Sequence, residues 1–504
     1  MACTTILVGK AASYDGSTIV ARNEDSPNGQ FEPKRLEVVL SQDQPRTYTS
    51  VESHLCFELP DNPVSYSSVP DALPGHGIWA SAGFNEHNVG MSATETITTN
   101  ERVLGADPLV VYQPAQGKPE DANYVPEVPG GLGEEDFVSI VLPYVNSARS
   151  AVLRLGSLLE QYGTYESNAI AFSDSNEIWW LETIGGHHWI ARRVPDDAYV
   201  TMPNQLGIDS FNLNDAEGAQ LEHMASADLR SWMELHHLNL ALNGDESVFN
   251  PRISFGSKSP SDHIYNTPRA WYMQRTLNPS DAWDGADARY TPESDDIPWC
   301  RVPEQKVTIE DIKFVLSSHF QDTPYDCYGW KGTRETRSAY RPIGINRNSQ
   351  LAVLQMRSGD EPGAAVQWMA FGSNIFNALV PLYAQVSCFP DYFTNTSARV
   401  STESFYWANR LIAALADRHY GDCIQKIEAY QQTLTAFGHQ CIARYDQLLA
   451  GLPRVQAQPL MEEANQLIAE KLKEETDKLL STVLYIASCK MMCGFSMSDN
   501  ERSE

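Results

Sequence analysis

Met1-Ala2-Cys3-Thr4-Thr5-Ile6-Leu7-Val8-Gly9 opens the chain, and Thr18-Ile19-Val20-Ala21-Arg22-Asn23-Glu24-Asp25 follows closely. The first run is short, apolar and rich in β-branched residues, so 3–9 reads as a strand. Asp15-Gly16 supplies a turn and 18–21 the returning strand, which makes a hairpin. Arg22 then emerges at the end of that hairpin, and Arg22 and Asp25 come within reach of Cys3.

Cys3 has two readings. It is a small apolar residue opening a buried strand, as free cysteines often are. Alternatively, removal of Met1 and Ala2 gives one residue both a thiol nucleophile and a free α-amine. With a pKa of ~7.7–8.0, that amine is partly neutral at working pH and can take the thiol proton. Arg22 beside the sulfur would favour thiolate, and Asp25 would hold the α-amine by hydrogen bonding and charge. Arg-x-x-Asp alone is also a common surface ion pair.

The opening Met-Ala-Cys-Thr-Thr-Ile-Leu-Val-Gly-Lys, the segment Tyr14-Asp15-Gly16-Ser17-Thr18 and the segment Ala21-Arg22-Asn23-Glu24-Asp25-Ser26 resemble the N-terminal-nucleophile cysteine dipeptidases of the dipeptidase A type. More distantly they resemble the secernins and the choloylglycine hydrolase/penicillin V acylase group. Strand hairpins flanked by helical segments suit an α/β (α+β) architecture with helices outside two antiparallel sheets. The resemblance implies more: the four-layer αββα N-terminal-nucleophile hydrolase fold with additional C-terminal helices, and a metal-independent cysteine dipeptidase without a cofactor.

Asn85-Glu86-His87-Asn88 reads as a turn between strands at 78–83 and 89–93, which leaves Thr94-Glu95-Thr96 where the second strand ends. The acylase group carries an oxyanion-stabilising Asn after a similar turn, and here the matching place holds Glu95. Glu95 is either a solvated strand end or an anchor for a substrate's free α-ammonium, which a dipeptide has and an acylase substrate lacks. Tyr199-Val200-Thr201-Met202-Pro203-Asn204-Gln205 reads as a strand and a turn, and Asn after Pro is ordinary turn chemistry. The resemblance implies that Asn204 is an oxyanion donor. The site expected from the chain is thus Cys3, Arg22, Asp25 and Asn204 for catalysis, with Glu95 for substrate. The basic anchor for the substrate carboxylate is unassigned.

Elsewhere, 103–133 is rich in Pro, Gly and acidic residues and reads as a loop over the site. Helices are expected at 134–144 and 148–162, and strands at 169–172, 177–183 and 187–194. His187-His188 does not read as a metal pair, because adjacent residues of a strand point to opposite faces. Thr308-Ile309-Glu310-Asp311 caps a helix. Arg341-Pro342-Ile343-Gly344 also fits the dipeptidase pattern, with Arg341 structural or substrate-facing. Long helices are expected at 404–449 and 461–493, broken around Gly421 and at Gly451-Leu452-Pro453; core packing and subunit assembly into a homo-oligomer both remain open for them. The division expected is a hydrolase domain over 1–400, with an irregular insertion near 207–301, and a helical extension over 401–504.

Hydrophobic residues make up 42% of the 504 and charged residues 20%, which is globular composition. The formal charge of −28 repels nucleic acid, and no basic stripe offsets it. Nine cysteines, mostly isolated, do not make a disulfide framework, and Cys489 with Cys493 is a weak zinc signal. Ile6-Leu7-Val8 is shorter than the apolar core of a signal peptide, and no run is long enough to cross a membrane. The expectation is a cytoplasmic enzyme acting on dipeptides, with no nucleic-acid or membrane partner. The competing readings are an acylase-type amidase and a noncatalytic secernin-like interaction protein. A zinc peptidase is disfavoured, since His-Glu-x-x-His is lacking.

Overall fold

The computed structural model describes residues 3–241, 247–359 and 361–491. In chain order the framework consists of β1 (Thr4–Val8), β2 (Thr18–Asp25), β3 (Ala82–Phe84), β4 (Gly90–Thr96), α1 (Phe137–Val141), α2 (Ala148–Tyr162), β5 (Asn168–Ser173), β6 (Ile178–Thr183), β7 (Trp189–Arg193), β8 (Tyr199–Met202) and β9 (His223–Ala225). It continues with α3 (Thr267–Leu277), β10 (Cys300–Arg301), α4 (Ile309–Leu316), β11 (Asn348–Met356), β12 (Ala365–Phe371), β13 (Val380–Tyr383), α5 (Phe405–Ala416), α6 (Tyr420–Leu449) and α7 (Arg454–Cys489).

Two antiparallel sheets form the centre. One has seven strands in the order β10-β8-β1-β2-β11-β12-β13, and the other six in the order β9-β7-β6-β5-β4-β3. They pack face to face, with β2 against β4 and β5 and with β11 and β12 against β3. Helix α2 covers the outer face of the six-stranded sheet, while α4 lies on β1 and β2 and α5, α6 and α7 on β12 and β13. The result is helix, sheet, sheet, helix, the mixed α+β architecture expected, with the C-terminal helices in one outer layer. Both sheets are buried on two faces, so their strands read as near-continuous apolar runs where a strict alternation would mark a solvated face.

Local signals set several boundaries. Ser147 and Ser150 make a capping box for α2, which stops where Gly163 takes φ 69°. Thr308 and Asp311 do the same for α4, as the sequence predicts. The expected helix over 134–144 is shorter: only α1 is α-helical, followed by a 3-10 turn over Leu142–Tyr144 with Pro143 inside it. The break near Gly421 falls instead at the 3-10 turn Asp417–His419, and α7 begins at Arg454 and runs through Pro459. Cys493 lies outside the described residues.

The largest departure concerns β2. It does not stop at Ala21 but continues through Asp25, with all eight residues buried. β1 pairs with it on one side and β11 on the other, so Arg22, Asn23, Glu24 and Asp25 are strand residues in the middle of a sheet. Polar side chains persist there because each finds a buried partner.

Candidate functional site

Cys3 precedes β1 and is wholly buried. The register that sets Thr5 opposite Arg22 brings their neighbours together at the end of the sheet. Arg22 Nη1 donates to Cys3 Sγ at 3.1 Å and to Thr94 O at 2.7 Å; Nη2 donates to Ala93 O at 2.6 Å and Ser81 O at 3.3 Å. The guanidinium therefore bridges the two sheets while one N–H faces the sulfur. Burial pushes the Cys3 thiol up to about 12, against the pull of Arg22. With residues still attached ahead of Cys3, the thiol is neutral and its nitrogen is an amide without basicity.

Behind Arg22 runs a buried charge network. Glu24 lies 3.5 Å from Arg22 and 2.5 Å from Lys34 Nζ, which also meets Asp71 at 2.6 Å. Asp25, on the opposite face of the same strand, is paired with Arg341 and accepts from Asn348 Nδ2 at 2.5 Å. Asp25 is thus held between two side chains from the region preceding and opening β11.

Glu95 is fully buried, so the reading of it as a solvated strand end is overturned. The cause is a bulge: the pairing of β4 with β5 shifts register between Ala93 and Glu95. Met91 and Ala93 pack in the outer core beneath α2, whereas Glu95 turns inward and its Oε2 accepts from Thr5 Oγ1 at 2.7 Å. Glu95 Oε1 is buried with no hydrogen-bond partner. Burial raises its pKa to about 8, against the opposing charges of Arg269 and Arg22.

Asn204 sits just after β8. Its Nδ2 donates to Thr96 O at 2.9 Å, and its Oδ1 accepts from Arg269 Nη2 at 2.7 Å. Arg269 Nη1 in turn donates to Thr4 Oγ1 at 2.6 Å and to the carbonyl oxygen of Cys3. Asn204 therefore reaches the cysteine through Arg269, a residue the sequence reading missed. Arg269 lies on α3, inside the stretch expected to be irregular, where Thr267-Pro268 marks a helix start that was legible. The second omission is Glu134, nearly buried, 3.7 Å from Arg22 and raised to about 7 by burial. It follows the glycines at 130, 131 and 133, close to Tyr165 and Thr164. The loop expected at 103–133 begins inside a short helix, Glu101–Ala106, and carries outlying bridges that pair Gln113 with Val128 and Gln116 with Val125.

His187 and His188 both turn toward one carboxylate. Their Nδ1 atoms lie 3.1 Å and 2.7 Å from the two oxygens of Asp107. They precede β7, so the opposite-face argument does not apply, and Asp107 accounts for their arrangement. Among the described residues, His319, Asp326 and Cys327 place ligand-type atoms within 4.8 Å of one another. Both ring nitrogens of His319 are occupied, by Asp326 at 2.6 Å and Tyr420 at 3.0 Å. No helix among the described residues is long and apolar enough to cross a membrane.

A layered α+β frame with a thiol and three buried arginines gathered at the end of its central strands fits a hydrolase, and comparison with known proteins places the class as a peptidase. The chain belongs to peptidase family C69, whose family model matches residues 2–433. It is 56% identical to a dipeptidase of Bifidobacterium longum, over 99% of this chain and 100% of that protein. It is 54% identical to a probable dipeptidase A of Streptococcus pyogenes serotype M3, with the same coverage, and 42% identical to dipeptidase A of Lactobacillus helveticus, over 96% of each chain.

Proposed function

We propose that this peptidase is a cysteine dipeptidase whose nucleophile is Cys3, exposed as the first residue once the residues before it are removed. The α-amine then takes the thiol proton, and the thiolate attacks the scissile carbonyl. Arg22 stabilises the thiolate at 3.1 Å. Asp25, fixed by Arg341 and Asn348, orients the ammonium that forms. Asn204, steadied by Arg269, donates to the oxyanion. Collapse of the tetrahedral intermediate passes the proton from the ammonium to the leaving amine and leaves a thioester on Cys3. Water adds with the α-amine as base, the C–S bond breaks, and the acyl half leaves as a free acid.

The observation that carries the dipeptide reading is Glu95 Oε1, a buried carboxylate oxygen without a partner, on a side chain whose Oε2 accepts across the sheets from Thr5, two residues beyond Cys3. An α-ammonium fills that vacancy; an N-acylated substrate has no charge to offer it. The names of the relatives support the same substrate class. Because nucleophile and base reside in one residue, the reaction requires no metal.

The test has two arms. Intact mass and N-terminal sequencing of active protein are expected to find Cys3 first; an active chain still beginning at Met1 sinks the mechanism. Hydrolysis of a dipeptide is expected to exceed that of its N-acetyl form and to persist in a strong chelator. Equal rates would favour the acylase-type amidase, and no turnover with an exposed Cys3 would favour a noncatalytic interaction protein.

A further inference from the structure

A cleft of about 610 Å³ lies between α4 and α6, outside the Cys3 site. Its walls include Ile309, Phe314, Ile375, Leu379 and Ile424, with Lys313 beside them, and Glu310, Glu428 and His439 also line it. The volume suits a small organic ligand.

Lys313 is unusual in this strongly acidic chain. Its Nζ donates to Asn374 O and Asn377 Oδ1, both at 2.6 Å and both neutral acceptors. Among the described residues no carboxylate lies within 4.0 Å of it, whereas Lys34 has Glu24 and Asp71 and Arg341 has Asp25. Lys313 is half-buried in the cleft wall, and desolvation without an opposing charge pulls its pKa down to about 7. A desolvated ammonium is ordinarily paired, and leaving one unpaired is costly. Two acceptors use two of its three donors, so one N–H remains for a ligand.

We propose that this cleft is a second small-molecule site, which takes a carboxylate bearing an apolar tail with Lys313 as its anchor. The carboxylate supplies the missing counter-charge and the tail covers the apolar walls. A free amino acid and a simple alkanoate share this chemistry. If the dipeptidase reading holds, and this clause alone rests on it, the products of the reaction belong to the class.

Behind Lys313, hydrogen bonds through Asn374 and Asn377 lead from the cleft toward the cysteine site. Asn377 Nδ2 donates to Asn374 Oδ1 at 3.0 Å, Asn374 Nδ2 to Asn23 Oδ1 at 2.7 Å, and Asn374 N to Asn348 Oδ1 at 3.3 Å. Asn348 holds Asp25. An occupant that draws Lys313 away from the asparagines therefore acts on a hydrogen-bond path that ends at Asp25.

The experiment is isothermal calorimetry on the full chain with 4-methylpentanoate, L-leucine and L-leucinamide. 4-Methylpentanoate is expected to bind and leucinamide, which lacks the carboxylate, is not; this comparison needs no variant. Lys313→Met is expected to weaken carboxylate binding at least about tenfold, the scale of one lost charge-assisted contact. Lys313-dependent binding of L-leucine identifies an amino acid as the source, whereas binding of 4-methylpentanoate alone identifies a plain alkanoate. Absence of binding by either carboxylate at ~10 mM, equal binding of leucinamide, or unchanged binding in Lys313→Met overturns the proposal. Turnover is not read, so failure here and failure of the dipeptidase reading are separate results.

Discussion

Thr5 on the first strand donates across the two sheets to Glu95 at 2.7 Å, and this bond turns one oxygen of a buried carboxylate toward the first sheet while its other oxygen is left without a partner. The pair joins the β1 side of the site to the β4 side. Glu95→Gln keeps the shape and the Thr5 contact but removes the charge. Its expected effect is a kcat/KM for dipeptides lower by about ten- to a hundredfold, mostly through KM, since charge-assisted hydrogen bonds contribute ~1.5–3 kcal/mol. Steady-state kinetics with dipeptide and N-acetyl dipeptide check it; unchanged discrimination between them would remove Glu95 from recognition.

The same carboxyl has a pH signature. Its pKa is raised from 4.5 to about 8, so the native state favours the protonated form and its burial penalty grows as pH rises between those values. The contribution to stability is therefore lost with rising pH, and Glu95→Gln is expected to lack that decline in denaturant unfolding followed from pH 5 upward. In activity the sign is reversed: the ionised carboxylate binds an ammonium, so the rising limb of log(kcat/KM) against pH is steeper in the wild type than in Glu95→Gln.

Arg22 spends its donors on the Cys3 sulfur and on three backbone carbonyls at once. A lysine has the charge but lacks the planar fork, so Arg22→Lys cannot satisfy both sheets and the thiol. A loss of about 10²-fold or more in kcat/KM is expected, together with slower alkylation of Cys3 by iodoacetamide at fixed pH. Normal alkylation with low activity would show that Arg22 acts on something other than the thiol.

For Asn204→Ala, the expected loss is in kcat, by about 10²–10³, the cost of one oxyanion donor. KM is expected to move little. A change confined to KM would assign Asn204 to substrate positioning through Arg269.

Lys34 is buried between Glu24 and Asp71, so Lys34→Met strands two carboxylates. Destabilisation of about 3–5 kcal/mol is expected from a broken buried pair, read by denaturant unfolding. Adding Glu24→Gln and Asp71→Asn is expected to recover part of it, because the uncompensated charges go as well.

Much of this frame was legible along the chain. The β1–β2 hairpin, the cap at Thr308 and the long C-terminal helices follow from turn chemistry, capping and apolar spacing, all of which act over a few residues. The extension of β2 to Asp25 was not legible, because four consecutive polar residues read as the end of a strand unless their buried partners are known. Arg269 escaped for the same reason: Thr267-Pro268 marks a helix start, yet nothing local says that the helix delivers a guanidinium to Cys3.

The sequence by itself determined the chemistry on offer: a cysteine close to the chain start, an arginine and an aspartate within one hairpin of it, and a likeness strong enough to name a family. Tertiary structure decided what those residues face. A one-residue bulge in β4 turned Glu95 from the outer core to the space between the sheets, since strand side chains alternate faces and a single register shift reverses them. The partners of Asp25 and Asn204 come from segments far apart in the chain, and only the folded structure brings them together in buried surroundings, where low polarity makes each pairing count.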